Sequence, residues 1–296
     1  MNSQDMTAKI EQGQGFIAAL DQSGGSTPKA LRAYGVGDDE WSGDDEMFGK
    51  IHEMRSRVIT APSFASGKVI GAILFEKTMD GSVDGKSTPD ALKARGVVPF
   101  IKVDEGLADE VDGVQLMKPM TKLAALLEKS VGKGMFGTKM RSVINAANPA
   151  GIAAVVEQQF AVGNQIVDAG LVPILEPEYN IQAADRAEGE VILRDAILAA
   201  LDALPEGRKI MLKLSIPVEA NLYKSLVDHP NTLSVVALSG GFTREEACEE
   251  LAANNGMIAS FSRALLQELR AQMDDAQFDD ALGEAINHIQ RASVAG

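Results

Sequence analysis

The chain has 296 residues, 45% of them hydrophobic and 24% charged, values that exclude a disordered or fibrous polypeptide. Its 42 acidic and 28 basic residues leave a formal net charge of −14, which disfavours partnership with nucleic acid or an anionic membrane. No apolar run approaches the roughly 20 residues of a membrane span, the start MNSQDMTAKIEQGQGF is not a secretory signal, and the single Cys248 forms no internal disulfide, so a soluble, cytoplasmic protein is expected.

In chain order, the first short apolar run that reads as a buried strand is 15–21 (GFIAALD). A Ser23-Gly24-Gly25-Ser26 turn follows, and Thr27–Pro28 then reads as an N-cap with proline in the first helical turn. The second strand is 69–76 (VIGAILFE). The stretch 78–97, rich in Gly, Asp, Ser and Pro, is the longest gap without a clear helical pattern and reads as a loop over one face that moves during turnover. Strands three and four are 99–104 (PFIKVD) and 136–143 (FGTKMRSV). A helical pattern fills 149–169, strand five is 172–178 (VPILEPE), and a second helix covers 189–203. Strands six to eight are 209–216 (KIMLKLSI), 232–240 (TLSVVALSG) and 256–262 (GMIASFS), with a short amphipathic helix at 244–253 between the last two. From about Asp274 the tail is helical and packs on the barrel or on a partner. Strand and helix alternate with no linker, so a TIM (β/α)8 barrel of the α/β class, one domain over 1–296, fits better than a doubly wound open sheet.

Alternate residues of a barrel strand face inward. In 209–216 the outward set is Ile210, Leu212, Leu214 and Ile216, and the inward set is Lys209, Met211, Lys213 and Ser215. By the same parity Lys139 pairs with Arg141, Glu176 with Glu178, and Lys102 with Asp104, while Asp21, Ser239 and Ser260 lie near strand ends. Buried ions cost several kcal/mol each, so five strands carrying charge at the C-terminal end describe a site rather than core ion pairs.

Lys139, Glu176 and Lys213 lie on three consecutive strands and form one row. A second ammonium beside a partly desolvated lysine lowers its pKa and frees the amine for attack on a ketone, with a carboxylate alongside to pass protons. The histidines, His52, His229 and His288, are not clustered for zinc, no nucleotide-binding glycine motif is present, and Glu76 with Asp104 and Asp21 is a poor magnesium site among lysines. No cofactor or metal is called for. Ser239-Gly240-Gly241 and Ser260–Arg263 occupy the usual barrel phosphate position. The turn at Ser23–Ser26, with Lys102, is placed at the opposite rim, so the substrate carries a phosphate at each end.

The motifs AALDQSGGS (18–26), FIKVDEG (100–106), KMR (139–141), VPILEPE (172–178), KIMLKLS (209–215), LSGG (238–241) and SFSRAL (260–265) together resemble class I fructose-bisphosphate aldolases, of the bacterial type. The resemblance implies a lyase of glycolysis or gluconeogenesis that cleaves fructose 1,6-bisphosphate through a Schiff base on Lys213. It implies Glu176 as general acid/base supported by Glu178, and Asp21 beside Lys139 at the breaking bond. It implies Ser239, Gly240 and Arg263 on one phosphate, with Ser260 beside them. Ser23, Ser26, Lys102 and Arg141 fall on the other.

The animal enzymes of that family end in a tyrosine that acts on the enamine. This chain ends in RASVAG, with tyrosines only at 34, 179 and 223, so the proton passes by Glu176 or a bound phosphate. A transaldolase, a deoxyribose-phosphate aldolase and a silent scaffold barrel are the competing readings. The sequence names no interface patch, which leaves homo-oligomer formation open, and it does not rank fructose 1-phosphate or tagatose 1,6-bisphosphate as substrates.

Overall fold

The computed structural model describes residues 1–296. Eight parallel strands follow one another around a barrel: β1 (Phe16–Leu20), β2 (Val69–Leu74), β3 (Val98–Lys102), β4 (Gly137–Ile144), β5 (Val172–Tyr179), β6 (Ile210–Ser215), β7 (Thr232–Leu238) and β8 (Met257–Ala259). All eight coincide with the expected runs to within a few residues at their ends. β1 and β8 meet through the bond from Ala19 N–H to Phe261 O at 3.1 Å, which nearly closes the sheet.

Period two sorts the strand side chains into two cores. Ile210, Leu212, Leu214 and Ile216 join the outer core beneath the helices, whereas Met211 joins a smaller inner core with Ile17, Ile73, Phe100, Ile174, Val236 and Ile258. Full burial of such a side chain contributes about 1.5–3 kcal/mol. Gly137 leaves the room this inner core needs, because a Cβ there would lie 2.2 Å from Val172 O and 2.9 Å from the Phe100 ring. Helix α1 (Ser3–Gln12), capped by Asn2 and Asp5, closes the N-terminal end with Met6 and Ile10.

Helices α2 (Ser26–Tyr34) and α3 (Gly43–Thr60) follow β1. The first corrects the expected cap: Gly25 precedes α2 and Thr27 is fully buried inside it, while Ser26 Oγ bonds locally to Ser23. The 78–97 stretch is also no open loop. It forms α4 (Glu76–Asp80), a two-residue hairpin and α5 (Thr88–Ala94), with Met79, Val83, Ala91 and Leu92 buried. Asp84 and Gly85 at φ 51° and 71° make the tight hairpin turn, and the Ser87 side chain accepts from Asp90 N–H to start α5.

Further round are α6 (Leu123–Gly132), α7 (Pro149–Asp168), α8 (Arg186–Asp202), the single turn α9 (Lys224–Val227), α10 (Arg244–Ala252) and the single turn α11 (Arg263–Leu266). The tail forms α12 (Asp275–Ser293), capped by Asp274, and packs on the barrel. Its Ser293 Oγ accepts from Ala259 N–H on β8 at 2.9 Å.

Candidate active site

The inward parity that builds the inner core delivers charge two residues further along the same strands. Met211 gives way to Lys213, Ile174 to Glu176, Gly137 to Lys139, Phe100 to Lys102 and Ala19 to Asp21. These side chains open into a cavity of about 630 Å³ at the C-terminal end of the barrel. All thirteen residues singled out from the sequence line it: Asp21, Ser23, Ser26, Lys102, Lys139, Arg141, Glu176, Glu178, Lys213, Ser239, Gly240, Ser260 and Arg263. With Lys29 and Asp104, six basic lining residues face four acidic ones, so the mouth is net positive in a chain of formal charge −14.

Glu176 stands at the centre. Its Oε1 lies 2.9 Å from Lys213 Nζ and its Oε2 3.0 Å from Lys139 Nζ. Lys139 Nζ in turn lies 2.7 Å from Asp21 Oδ2. Lys139, Glu176 and Lys213 are each 4% exposed or less. The expected row therefore exists, but a carboxylate separates its two ammonium groups. Repulsion between the lysines, the expected means of activating Lys213, is interrupted by Glu176.

Burial alone would raise the pKa of Asp21, but Lys139, then Lys213 and Lys102, outweigh it and hold the carboxyl well below its usual range. The same balance, burial and Asp21 against Lys139 and Lys213, lowers Glu176. Burial pulls the Lys139 ammonium down, and Asp21 and Glu176 more than reverse it, so Lys139 stays charged. Desolvated ions in this arrangement interact more strongly than in water.

Around this centre, Arg141 Nε donates to Glu178 Oε2 at 2.5 Å, and Lys102 Nζ donates to both the carboxylate and the carbonyl of Asp104 at 2.7 Å. Ser215, inward by parity, does not face the cavity: its Oγ accepts from Tyr179 N–H and donates to Tyr179 O, splicing β6 to β5. Lys209 lies at the far end and donates to Pro230 O. Glu76 pairs with Lys129 outside the mouth, so the weighed Glu76–Asp104–Asp21 cation site is split among separate lysines. Burial pushes the Cys248 thiol up to about 11, leaving it unreactive.

The turn at 23–26 adjoins the 260–263 turn rather than standing opposite it, and the glycine turn at 239–241 lies one strand further round. β1 lies beside β8, and Gln22 Nε2 donates to Ser262 Oγ at 2.5 Å across the seam. Lys102, on β3, lies two strands from β1 in the other direction, with its ammonium on Asp104. Gly240 turns at φ 57° where a Cβ would meet Ile181 at 2.8 Å, so only glycine brings the backbone of 239–241 to the cavity. Gln22 and Ser262 both line the mouth and were not singled out from the sequence, although each lies inside a quoted motif.

The arrangement suits an amine attacking a carbonyl: a lysine in a desolvated mouth, a carboxylate within proton-transfer distance, a second carboxylate beyond a fixed ammonium, and polar turns for anions. Among known proteins, the profile of the family described as fructose-bisphosphate aldolase class-I matches residues 3–216. The fructose-bisphosphate aldolase of Plasmodium falciparum, solved in complex with TRAP and a small-molecule inhibitor, superposes with a TM-score of 0.73 at 18% identity, covering 99% of this chain and 95% of that one. A Corynebacterium glutamicum protein superposes with a TM-score of 0.54 at 14% identity, over 98% of this chain and 92% of the other. At these identities the two structures speak to the barrel fold.

Proposed function

The chain belongs to the class I fructose-bisphosphate aldolase family, and from that premise we propose that it reversibly cleaves fructose 1,6-bisphosphate to dihydroxyacetone phosphate and glyceraldehyde 3-phosphate, without a metal, as a cytoplasmic enzyme of glycolysis or gluconeogenesis. The observation that carries this reading is Glu176 set between Lys213 and Lys139 at 2.9 and 3.0 Å.

In the cleavage direction the Lys213 amine forms a bond to the ketose carbonyl carbon. Glu176, ionised and 2.9 Å from Lys213, takes the ammonium's protons in turn and passes both to the carbonyl oxygen, which leaves as water as the iminium forms. The resulting iminium withdraws electrons as the C3–C4 bond breaks. Asp21 takes the proton of the C4 hydroxyl, and the aldehyde departs. The enamine left on Lys213 regains a proton at carbon, from Glu176 or the substrate phosphate, and water then releases dihydroxyacetone phosphate.

Lys139 keeps its charge throughout and holds both carboxylates in place. Ser239, Gly240, Ser260 and Arg263 take one phosphate, and Ser23, Ser26, Lys102 and Arg141 take the other, for which Lys102 must turn from Asp104. The net positive lining supports a doubly anionic substrate despite the acidic chain.

The test is to incubate the protein with dihydroxyacetone phosphate, reduce with borohydride and map the modified peptide by mass spectrometry, alongside a cleavage assay in EDTA. An adduct on Lys213 and chelator-resistant cleavage are the expected result. No adduct, or cleavage abolished by EDTA, would sink the mechanism.

A further inference from the structure

Arg55, on α3, has no place in the reaction above, yet it is fully buried and no carboxylate lies within ion-pair distance of it. Its Nη1 donates to Thr78 Oγ1 at 2.6 Å, and its Nη2 donates to the carbonyl of Gln22 at 2.5 Å and to Gln22 Oε1 at 3.2 Å. Its Nε has no partner. Burial pushes its pKa down to about 10, with Asp21 alone pulling back. A cation buried without a paired carboxylate is costly, and an apolar side chain of that size would serve packing better.

What the guanidinium holds is the backbone beside the reacting centre. Asp21 is the first residue past β1, where the strand ladder to β2 ends at Leu20 and Leu74. The bonds inside 23–27 shape the turn itself. Arg55 ties the next residue, Gln22, to α4 behind β2 through Thr78. Gln22 carries the tie across the seam to Ser262. The planar fork thus joins the exits of β1 and β2 and, through one amide, the turn after β8.

We infer that Arg55 is a positioning residue: its fork fixes the Gln22 backbone so that the Asp21 carboxylate faces Lys139 and the C4 hydroxyl. The assignment rests on the aldolase reading above. Loss of the fork uncouples the two halves of the reaction, because Schiff-base formation uses Lys213 and Glu176, whereas carbon–carbon cleavage also needs Asp21.

The experiment compares Arg55→Met, Arg55→Lys and Thr78→Val with wild type by two readouts. These are borohydride trapping of dihydroxyacetone phosphate on Lys213, and kcat and KM for fructose 1,6-bisphosphate cleavage. Arg55→Met is expected to lower kcat by about 10- to 100-fold, the effect of a small misplacement of a reacting group, with trapping at the wild-type level. Arg55→Lys keeps the charge but not the fork and falls alongside it. Thr78→Val removes one arm and lowers kcat by about 2- to 5-fold. If Arg55→Met does not fold, the other two variants carry the same test.

Wild-type kcat in Arg55→Lys or Arg55→Met, or trapping that falls in step with kcat in every variant, overturns the assignment. Absence of an adduct on the wild-type protein would instead remove the Schiff-base mechanism, and the assignment with it.

Discussion

The lower and upper halves of the barrel are built from the same strands and obey different physics. Below, Met6 and Ile10 of α1 and the inward Ala19, Phe100, Ile174 and Met211 form a buried floor. Above, two residues along each strand, Asp21, Lys102, Glu176 and Lys213 line an ionic mouth, with Lys139 beside them. The floor gains free energy from every side chain it buries. The mouth gains little or loses, since desolvating its ions offsets much of their attraction. Chemistry at the top is therefore tolerated because the bottom supplies stability.

That division is open to test at both ends. Lys213→Met carries the largest expected effect: cleavage falls by about 10⁴-fold or more once the nucleophile is gone. The urea midpoint should fall by less than in Ile10→Ala, because Glu176 keeps Lys139 as its partner. Turnover within tenfold of wild type would mean that another group forms the covalent bond.

The mirror-image substitution, Ile10→Ala, empties a fully buried position in the floor. It is expected to cost about 2–5 kcal/mol in urea unfolding while kcat stays near wild type. A comparable fall in kcat would break the separation of floor from mouth.

Asp21→Asn is expected to cost on the order of 1–3 kcal/mol of stability at neutral pH, less than Ile10→Ala, and to carry a pH signature. The folded-state pKa of Asp21 is depressed, so its stabilising contribution is fully present above the unfolded value of about 3.9 and is lost as pH falls from there through the depressed folded-state value. The gap in urea midpoint between wild type and Asp21→Asn should thus be level from pH 5 to 8, begin to narrow near pH 4 and go on narrowing as pH falls further. A gap that does not narrow between pH 5 and pH 2 would mean that the ionised carboxylate is not what Lys139 stabilises.

Much of the fold and of the mouth is legible in the amino-acid sequence. The strands can be read because both faces of a barrel strand are buried, so 69–74 or 172–179 appears as an apolar run bounded by polar punctuation. The mouth can be read because parity alone puts Lys139, Glu176 and Lys213 inward. The hairpin at 82–87 is readable in principle from Asp84-Gly85, but its brevity hides it within a glycine-rich stretch. The role of Arg55 is not readable at all. Arg55 and Arg57 stand two apart on α3 in the string MRSR, yet one clamps Gln22 at the mouth and the other donates to the carbonyls of Ala271 and Met273 before the tail helix. Only the way α3 docks distinguishes them.

Side-chain hydrophobicity, strand parity and turn chemistry are local properties, carried by a few adjacent residues, and for that reason the sequence by itself determined which elements form and which charges point inward. The partners of those charges were left to the tertiary structure. Closure of the barrel sets β1 against β8, over two hundred residues away in the chain, turning two expected opposite rims into neighbours joined by Gln22 and Ser262. It also carries Asp21 round to Lys139 and leaves Glu176 between two ammonium groups. Such contacts depend on the stagger and closure of eight strands together, which no local run of residues specifies.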